Sequence, residues 1–192
     1  MNRRHFALSS GSALAALTLT AAPLRTAQAA SAVTRMGGKE AYTLAATGQG
    51  FSIGPVMAAN TVYVFFDTAC PHCAHLWESA RPLLGKLKMV WMPVGILRRE
   101  SIPQGATILA SANPAAAMSD NETRLLARQG GITPSATLGE DVLAKVKANT
   151  ELLEKLGVDS VPLLVYRNAH SGEYGSQTGA GNTQQLAELL GL

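Results

Sequence analysis

From Asn60 to Phe66 the chain reads Asn-Thr-Val-Tyr-Val-Phe-Phe, β-branched and aromatic almost throughout. That composition predicts a buried central strand. Asp67-Thr68-Ala69 breaks it as a turn, and from Cys73 the positions Ala74, Leu76, Trp77, Ala80, Leu83, Leu84 and Leu87 recur at helical spacing. Pro71 suits the first turn of that helix, where its missing N–H leaves nothing unpaired. Lys88 to Leu97 predicts a second strand, parallel to the first across the helical crossover. Residues 103–157 are rich in Ala, Leu, Glu, Lys and Arg and are punctuated by Asn113-Pro114, Gly130-Gly131 and Gly139. They predict three or four short helices. Ser160 to Tyr166 predicts a third strand entered through Pro162, a position where proline costs the backbone little. A glycine-rich hairpin from Asn168 to Gly181 follows, with a short edge strand near Tyr174 and His170 as a solvated loop residue. Thr183 is the expected cap of a last helix, Gln184 to Leu190. Upstream, the pattern allows a helix around Glu40–Ala46 and a strand near Phe51.

Residues 1–29 differ in kind. A charged start, Met-Asn-Arg-Arg-His-Phe, leads into the apolar small-residue run Ala13 to Ala22, and Ala27-Gln28-Ala29 supplies a small-x-small cleavage pattern. The run is too short and too weakly apolar to span a bilayer stably. Arg3-Arg4-His5-Phe6-Ala7-Leu8 resembles the twin-arginine export signal, a route for proteins already folded. This segment also changes the meaning of the charge. The formal net charge is +3, but Arg3, Arg4 and Arg25 lie in a stretch without acids. Without them thirteen basic residues face thirteen acidic ones. No basic excess remains to suggest nucleic acid as a partner. The expected organisation is a signal peptide at 1–29, a short N-terminal segment or linker at 30–59, and one domain at 60–192.

The chain has 2 cysteines, Cys70 and Cys73, so a multi-bridge disulfide framework is excluded. Random placement would put two cysteines three apart in only about 1% of cases, so the spacing is suggestive and the context decides. Cys70 falls at a helix N-terminus after a buried strand, where unpaired backbone N–H groups and the helix dipole favour a thiolate. Cys73 lies one turn inside, placed to attack a mixed disulfide on Cys70. Two-cysteine exchange chemistry needs this arrangement.

Val62-Tyr-Val-Phe-Phe-Asp-Thr-Ala-Cys-Pro-His-Cys73, the following Leu76-Trp77 and Ala80-Arg81-Pro82, and Ala106 to Ala115 carry a resemblance to a known group. They resemble the thioredoxin-fold thiol:disulfide interchange proteins of the bacterial periplasm, and within them the DsbC/DsbG branch, over roughly residues 60–190. The resemblance implies an α/β, thioredoxin-like fold with a helical insertion between the second strand and the cis-proline strand. It implies that Val161-Pro162 is that cis-proline site and presents a substrate strand. Cys70 would then be the nucleophile, Cys73 the resolving thiol, and His72, with Pro71 in the dipeptide between them, would tune acidity. Clients would be exported proteins with cysteines, and a membrane protein would restore the redox state. No cofactor or metal is implied, because the disulfide itself stores the electrons. The thirty residues between Ala30 and Asn60 are too few for the branch's dimerisation domain, which predicts a monomer. Pro71-His72 and Val161 resemble the oxidant DsbA, which leans the expectation towards oxidation. On that basis the Cys70 thiol is expected near about 4.5, exposed, and the potential between about −120 and −180 mV.

Other readings of the same residues stay open. Cys70, His72, Cys73 and His75 could hold copper(I) or zinc, although a closed zinc site wants four convergent ligands. An apolar groove around the cysteines could serve a holdase chaperone. Disulfide isomerisation or reduction of the DsbG type is the alternative direction. Asp67 reads as a turn residue, with a proton relay as its other possible role. Trp77, Met89, Trp91 and Met92 read as core or groove lining, and Glu78 and Arg81 as a solvated face.

Overall fold

A computed structural model describes residues 33–58 and 60–192; the expected export signal lies outside the described residues. The β-branched and aromatic run before the cysteines is β2 (Thr61–Asp67), and β3 (Lys88–Val94) lies parallel beside it, with Phe65 opposite Met92. Between them runs the helix that begins at the cysteines, Pro71–Ala80, extended by a 3-10 turn at Arg81–Leu83. With α1 at Gly38–Ala45 and β1 at Phe51–Ile53, this cysteine helix is α2. Three helices follow β3: α3 (Ser101–Ala110), α4 (Pro114–Leu126) and α5 (Glu140–Lys155). The chain then returns through β4 (Leu163–Arg167), β5 (Tyr174–Thr178) and α6 (Thr183–Leu190). The sheet order is β1-β3-β2-β4-β5, with β2 and β3 parallel and the other neighbours antiparallel. This is the expected α/β architecture, with the helical insertion between β3 and β4.

Central placement explains the composition of β2. Flanked by β3 and β4 and covered on both faces, it buries Val62, Val64, Phe65 and Phe66. One face packs on α2 and α6, with Trp77 edge-on to Trp91 and Trp91 edge-on to Phe66. The other face packs on α1 and α5 through Ala41, Ala45, Leu152, Leu153 and Leu156. Trp77, Met89, Trp91 and Met92 are all core. Pro93 is tolerated inside β3 because it lies beyond Trp91, the last residue that β1 pairs. Residues expected as a linker contribute α1 and β1 to this same packing. The loop after β1 leaves Val56 83% and Met57 93% exposed. Among the described residues no helix is long and apolar enough to cross a membrane.

Several boundaries move. The third strand starts at Leu163 rather than Ser160, and β3 stops at Val94 rather than Leu97. The last helix is capped by Asn182, not Thr183: Asn182 Oδ1 accepts from Gln185 N–H at 2.9 Å while Gln185 reaches back to the Asn182 N–H. Thr183 instead donates its hydroxyl to the Ser79 carbonyl at 2.9 Å, tying α6 to α2. Reciprocal satisfaction of two end groups makes Asn182 the better cap. Asn182→Ala is expected to cost about 1 kcal/mol in denaturant unfolding; an unchanged midpoint would assign the helix start to packing alone.

Candidate active site

The strand-to-helix turn is built around Asp67. This buried carboxylate accepts four hydrogen bonds, from Ala69 N (2.9 Å), Ile96 N (2.9 Å), Leu97 N (3.0 Å) and the Ser101 hydroxyl (2.6 Å). The bond to Ala69 is the turn expected from the sequence; the other three lock the turn to the segment entering α3. Thr68 is held as firmly. Its hydroxyl donates to Gln104 Oε1 at 2.9 Å, and its carbonyl accepts from Asn121 Nδ2 at 3.0 Å. Gln104 in turn donates to the carbonyls of Gly130 and Ile132, and Asn121 accepts from Ile132 N–H. Gly131, at φ +85°, threads past Asn121, where a Cβ would come within 2.5 Å of Oδ1. The helical insertion thus buttresses the residues leading into Cys70.

Cys70 is the N-cap of α2. Its Sγ accepts from the Cys73 N–H at 3.4 Å, and it lies 3.4 Å from the Val161 carbonyl oxygen. The Val161–Pro162 peptide bond is cis, so the structure brings Cys70, Cys73 and Val161-Pro162 together. Cys73 is wholly buried beneath. Cys70 is also less open than expected, with only 3% of its surface exposed, because the Val161 loop closes against its sulfur. Pro71 and His72 stand exposed at the mouth.

The two thiols are driven apart electrostatically. The hydrogen bond from the Cys73 side chain, helped by the N–H groups of Cys73 and His72 and opposed by burial and by Asp67, lowers the Cys70 thiol to about 7. Burial, with the hydrogen bond to Cys70 and the Cys70 charge, pushes the Cys73 thiol well above its ordinary value. The structure therefore stops well short of the expected value near about 4.5. His72 contributes its backbone N–H to this shift, and its exposed imidazole is not among the causes. His75 is exposed, and His170 lies exposed in the β4–β5 connection. Among the described residues no group of three or more His, Cys, Asp or Glu side chains could hold a metal ion.

Gln104, Asn121, Ser101 and Glu122 were not found from the sequence. A signal exists for two of them: Met118, Asn121, Glu122 and Leu125 fall on one helical stripe, all buried. Polar residues on an apolar stripe are candidates for inward-facing roles.

No protein-family profile matches the chain. It is 36% identical over 140 residues to the thiol:disulfide interchange protein DsbG of Pseudomonas aeruginosa, covering 72% of this chain and 54% of that protein. It is 32% identical over 110 residues to the Escherichia coli DsbG, covering 55% of this chain and 42% of that one. The chain thus spans about half the length of the curated relatives it matches. Among solved structures, the catalytic domain of Proteus mirabilis ScsC superposes with a TM-score of 0.61 at 19% identity, over 80% of this chain and 94% of that one.

Proposed function

We propose, from the premise that this chain is a thioredoxin-fold relative of the DsbG thiol:disulfide interchange proteins, that it exchanges disulfides with exported proteins through Cys70 and Cys73. The observation that carries this is the capping geometry: Cys70 Sγ on the helix N-terminus, 3.4 Å from Val161 O, over a buried Cys73. In this reading residues 60–192 carry the catalytic machinery, the segment 30–59 adds α1 and β1 to the same core and sheet, and residues 1–29 direct the folded chain to the periplasm. The protein acts as a monomer and is returned to its working redox state by a membrane partner. The backbone at Val161-Pro162 offers an extended client segment a strand to pair with.

Pro71-His72 and Val161 favour oxidation of clients as the net direction. A second reading, reduction or isomerisation, is favoured by the Cys70 thiol at about 7. Only the reduced protein has a thiolate, and ionisation at pH 7 then stabilises it by about 0.4 kcal/mol. That corresponds to roughly 10 mV for a two-electron couple, far less than a thiol near 4.5 would supply. Equilibration with glutathione separates the two. Oxidation requires a potential between about −120 and −180 mV, and a value below about −220 mV transfers the direction to the second reading. Alkylation of the reduced protein is expected to label Cys70 with an inflection near pH 7 and to spare Cys73. Equal labelling of the two thiols would remove the distinction between nucleophile and resolving thiol.

A further inference from the structure

The turn that delivers Cys70 to its helix is pinned from outside its own segment. Cys70 N–H donates to the Asp67 carbonyl at 3.0 Å, closing a β-turn with Thr68 and Ala69 at its centre. The Thr68–Ala69 peptide between them is held at both ends. Its N–H donates to Asp67 Oδ1 at 2.9 Å, and its carbonyl accepts from Asn121 Nδ2 at 3.0 Å. Asp67 belongs to the turn, whereas Asn121 arrives on α4, 53 residues along the chain from Thr68. Asn121 is wholly buried and is itself held in place. Its Oδ1 accepts from Ile132 N–H at 3.0 Å, and Gly131 lies so close that a Cβ there would come within 2.5 Å of that oxygen. The same loop orients Gln104, whose Nε2 donates to the Gly130 and Ile132 carbonyls while Oε1 accepts the Thr68 hydroxyl. Loop, two amides and turn thus form a closed ring of hydrogen bonds.

This ring holds the one peptide plane that sets the entry into α2. Ala69 is not in the left-handed region, so a full flip of the plane is closed to it and the freedom left is a tilt. A buried carbonyl deprived of its donor turns towards another. In a tight turn that rotation passes to the next residues, and the next but one is Cys70. Its Sγ accepts from Cys73 N–H at 3.4 Å, a bond that a small displacement of the cap weakens.

Resting on the exchange reading above, we propose that Asn121 is a positioning residue for the Cys70 sulfur. By holding the Thr68 carbonyl it fixes the tilt of the turn, and the turn places Sγ on the N–H groups that open α2. The loop at 130–132 is the outer end of this device, because its backbone orients Asn121. The Cys73 side chain and the N–H groups of Cys73 and His72 hold the Cys70 thiol low, against burial and the Asp67 charge. A sulfur moved off that helix end becomes a weaker acid. The titratable groups that act with Cys70 are Cys73, Asp67 and Glu122. Of these, Asn121 bonds Glu122, and losing that bond leaves the Glu122 carboxyl more protonated. That change favours the Cys70 thiolate, so the direction of the shift separates the two effects.

The test follows alkylation of the reduced protein by iodoacetamide across pH, with the labelled thiol identified by peptide mass. In Asn121→Leu, which keeps the bulk and removes both ends of the amide, the Cys70 rate at about pH 6 is expected to fall roughly fivefold. Well above the inflection the rate is expected within about twofold of wild type, because only the ionised fraction has changed. Gly131→Ala strains a residue at φ +85° and drives a Cβ against Asn121 Oδ1. It is expected to move the profile the same way by about twofold or more, and it carries the test if the Asn121 variant does not fold. Asn182→Ala, a cap change on α6, is expected to lower the unfolding midpoint without moving the profile. An inflection unchanged or shifted down in either folded variant, or one that Asn182→Ala shifts equally, overturns the proposal. Exchange is read separately, by consumption of glutathione disulfide. A wild type that does not consume it overturns the exchange reading, while the alkylation profiles decide the role of Asn121.

Discussion

In a Cys73→Ser variant, clients are expected to accumulate as stable disulfide adducts on Cys70, and in Cys70→Ser all exchange is expected to stop. The asymmetry follows from geometry. Cys70 caps the helix with a thiol lowered to about 7, whereas Cys73 is wholly buried and held well above its ordinary value. Only Cys70 is ionised enough to begin exchange at neutral pH. Once a client is attached, Cys73 competes with free thiols in solution. Held one helical turn away, it reacts as if present at far above any external thiol concentration. Removing it should lengthen the life of the adduct by at least about 10³-fold against millimolar glutathione. Non-reducing electrophoresis of client mixtures reads this directly. Adducts trapped by Cys70→Ser and absent from Cys73→Ser would reverse the two roles.

Asp67→Ala is expected to be the most damaging single change outside the cysteines. It strands three backbone N–H groups and the Ser101 hydroxyl, all within 3.0 Å of the carboxylate. An unsatisfied buried donor costs about 1–3 kcal/mol, and partial relaxation of the 96–101 segment brings the expected total to about 3–5 kcal/mol. That is a large share of the stability of a domain this size. Asp67→Asn, which turns one acceptor into a donor facing N–H groups, should recover only part of the loss. Denaturant midpoints decide it: a loss under about 1 kcal/mol would mean the carboxylate is incidental to the turn.

The redox pair was legible because its signal is local. A buried β run, a turn, a proline and two cysteines three apart each restrict the backbone in the same place, and their restrictions agree. Strand β2 was legible for the same reason, since burial on both faces leaves no polar alternation to misread. Asp67 was half legible: its bond to Ala69 is two residues away, while Ile96, Leu97 and Ser101 arrive from 29 to 34 residues on. Gln104 and Asn121 act through bonds to Thr68, 36 and 53 residues back along the chain, and to the loop at 130–132, and nothing in their own sequence neighbourhoods ties them to Cys70. The extent of the Cys70 shift was likewise beyond the sequence. Spacing gives the helix-end N–H groups, but burial and the nearby Asp67 charge, which oppose them, depend on the packed structure. The Asn182 cap was missed by one residue because Asn and Thr are both good caps and only geometry chooses between them.

The sheet order also sets when the protein can come into being. β2 lies between β3 and β4, and its pairing with β4 joins Val62 to Tyr166. A chain leaving the ribosome can therefore form the β2–β3 crossover early but cannot close its sheet until nearly the whole sequence has emerged. Val161, which meets the Cys70 sulfur, belongs to that late arrival. Long-range pairing of this kind slows folding and leaves apolar strands uncovered in the interval. The nascent chain thus carries both thiols before it has the surroundings that set them apart. Their distinct reactivities arise together, at the last step of assembly.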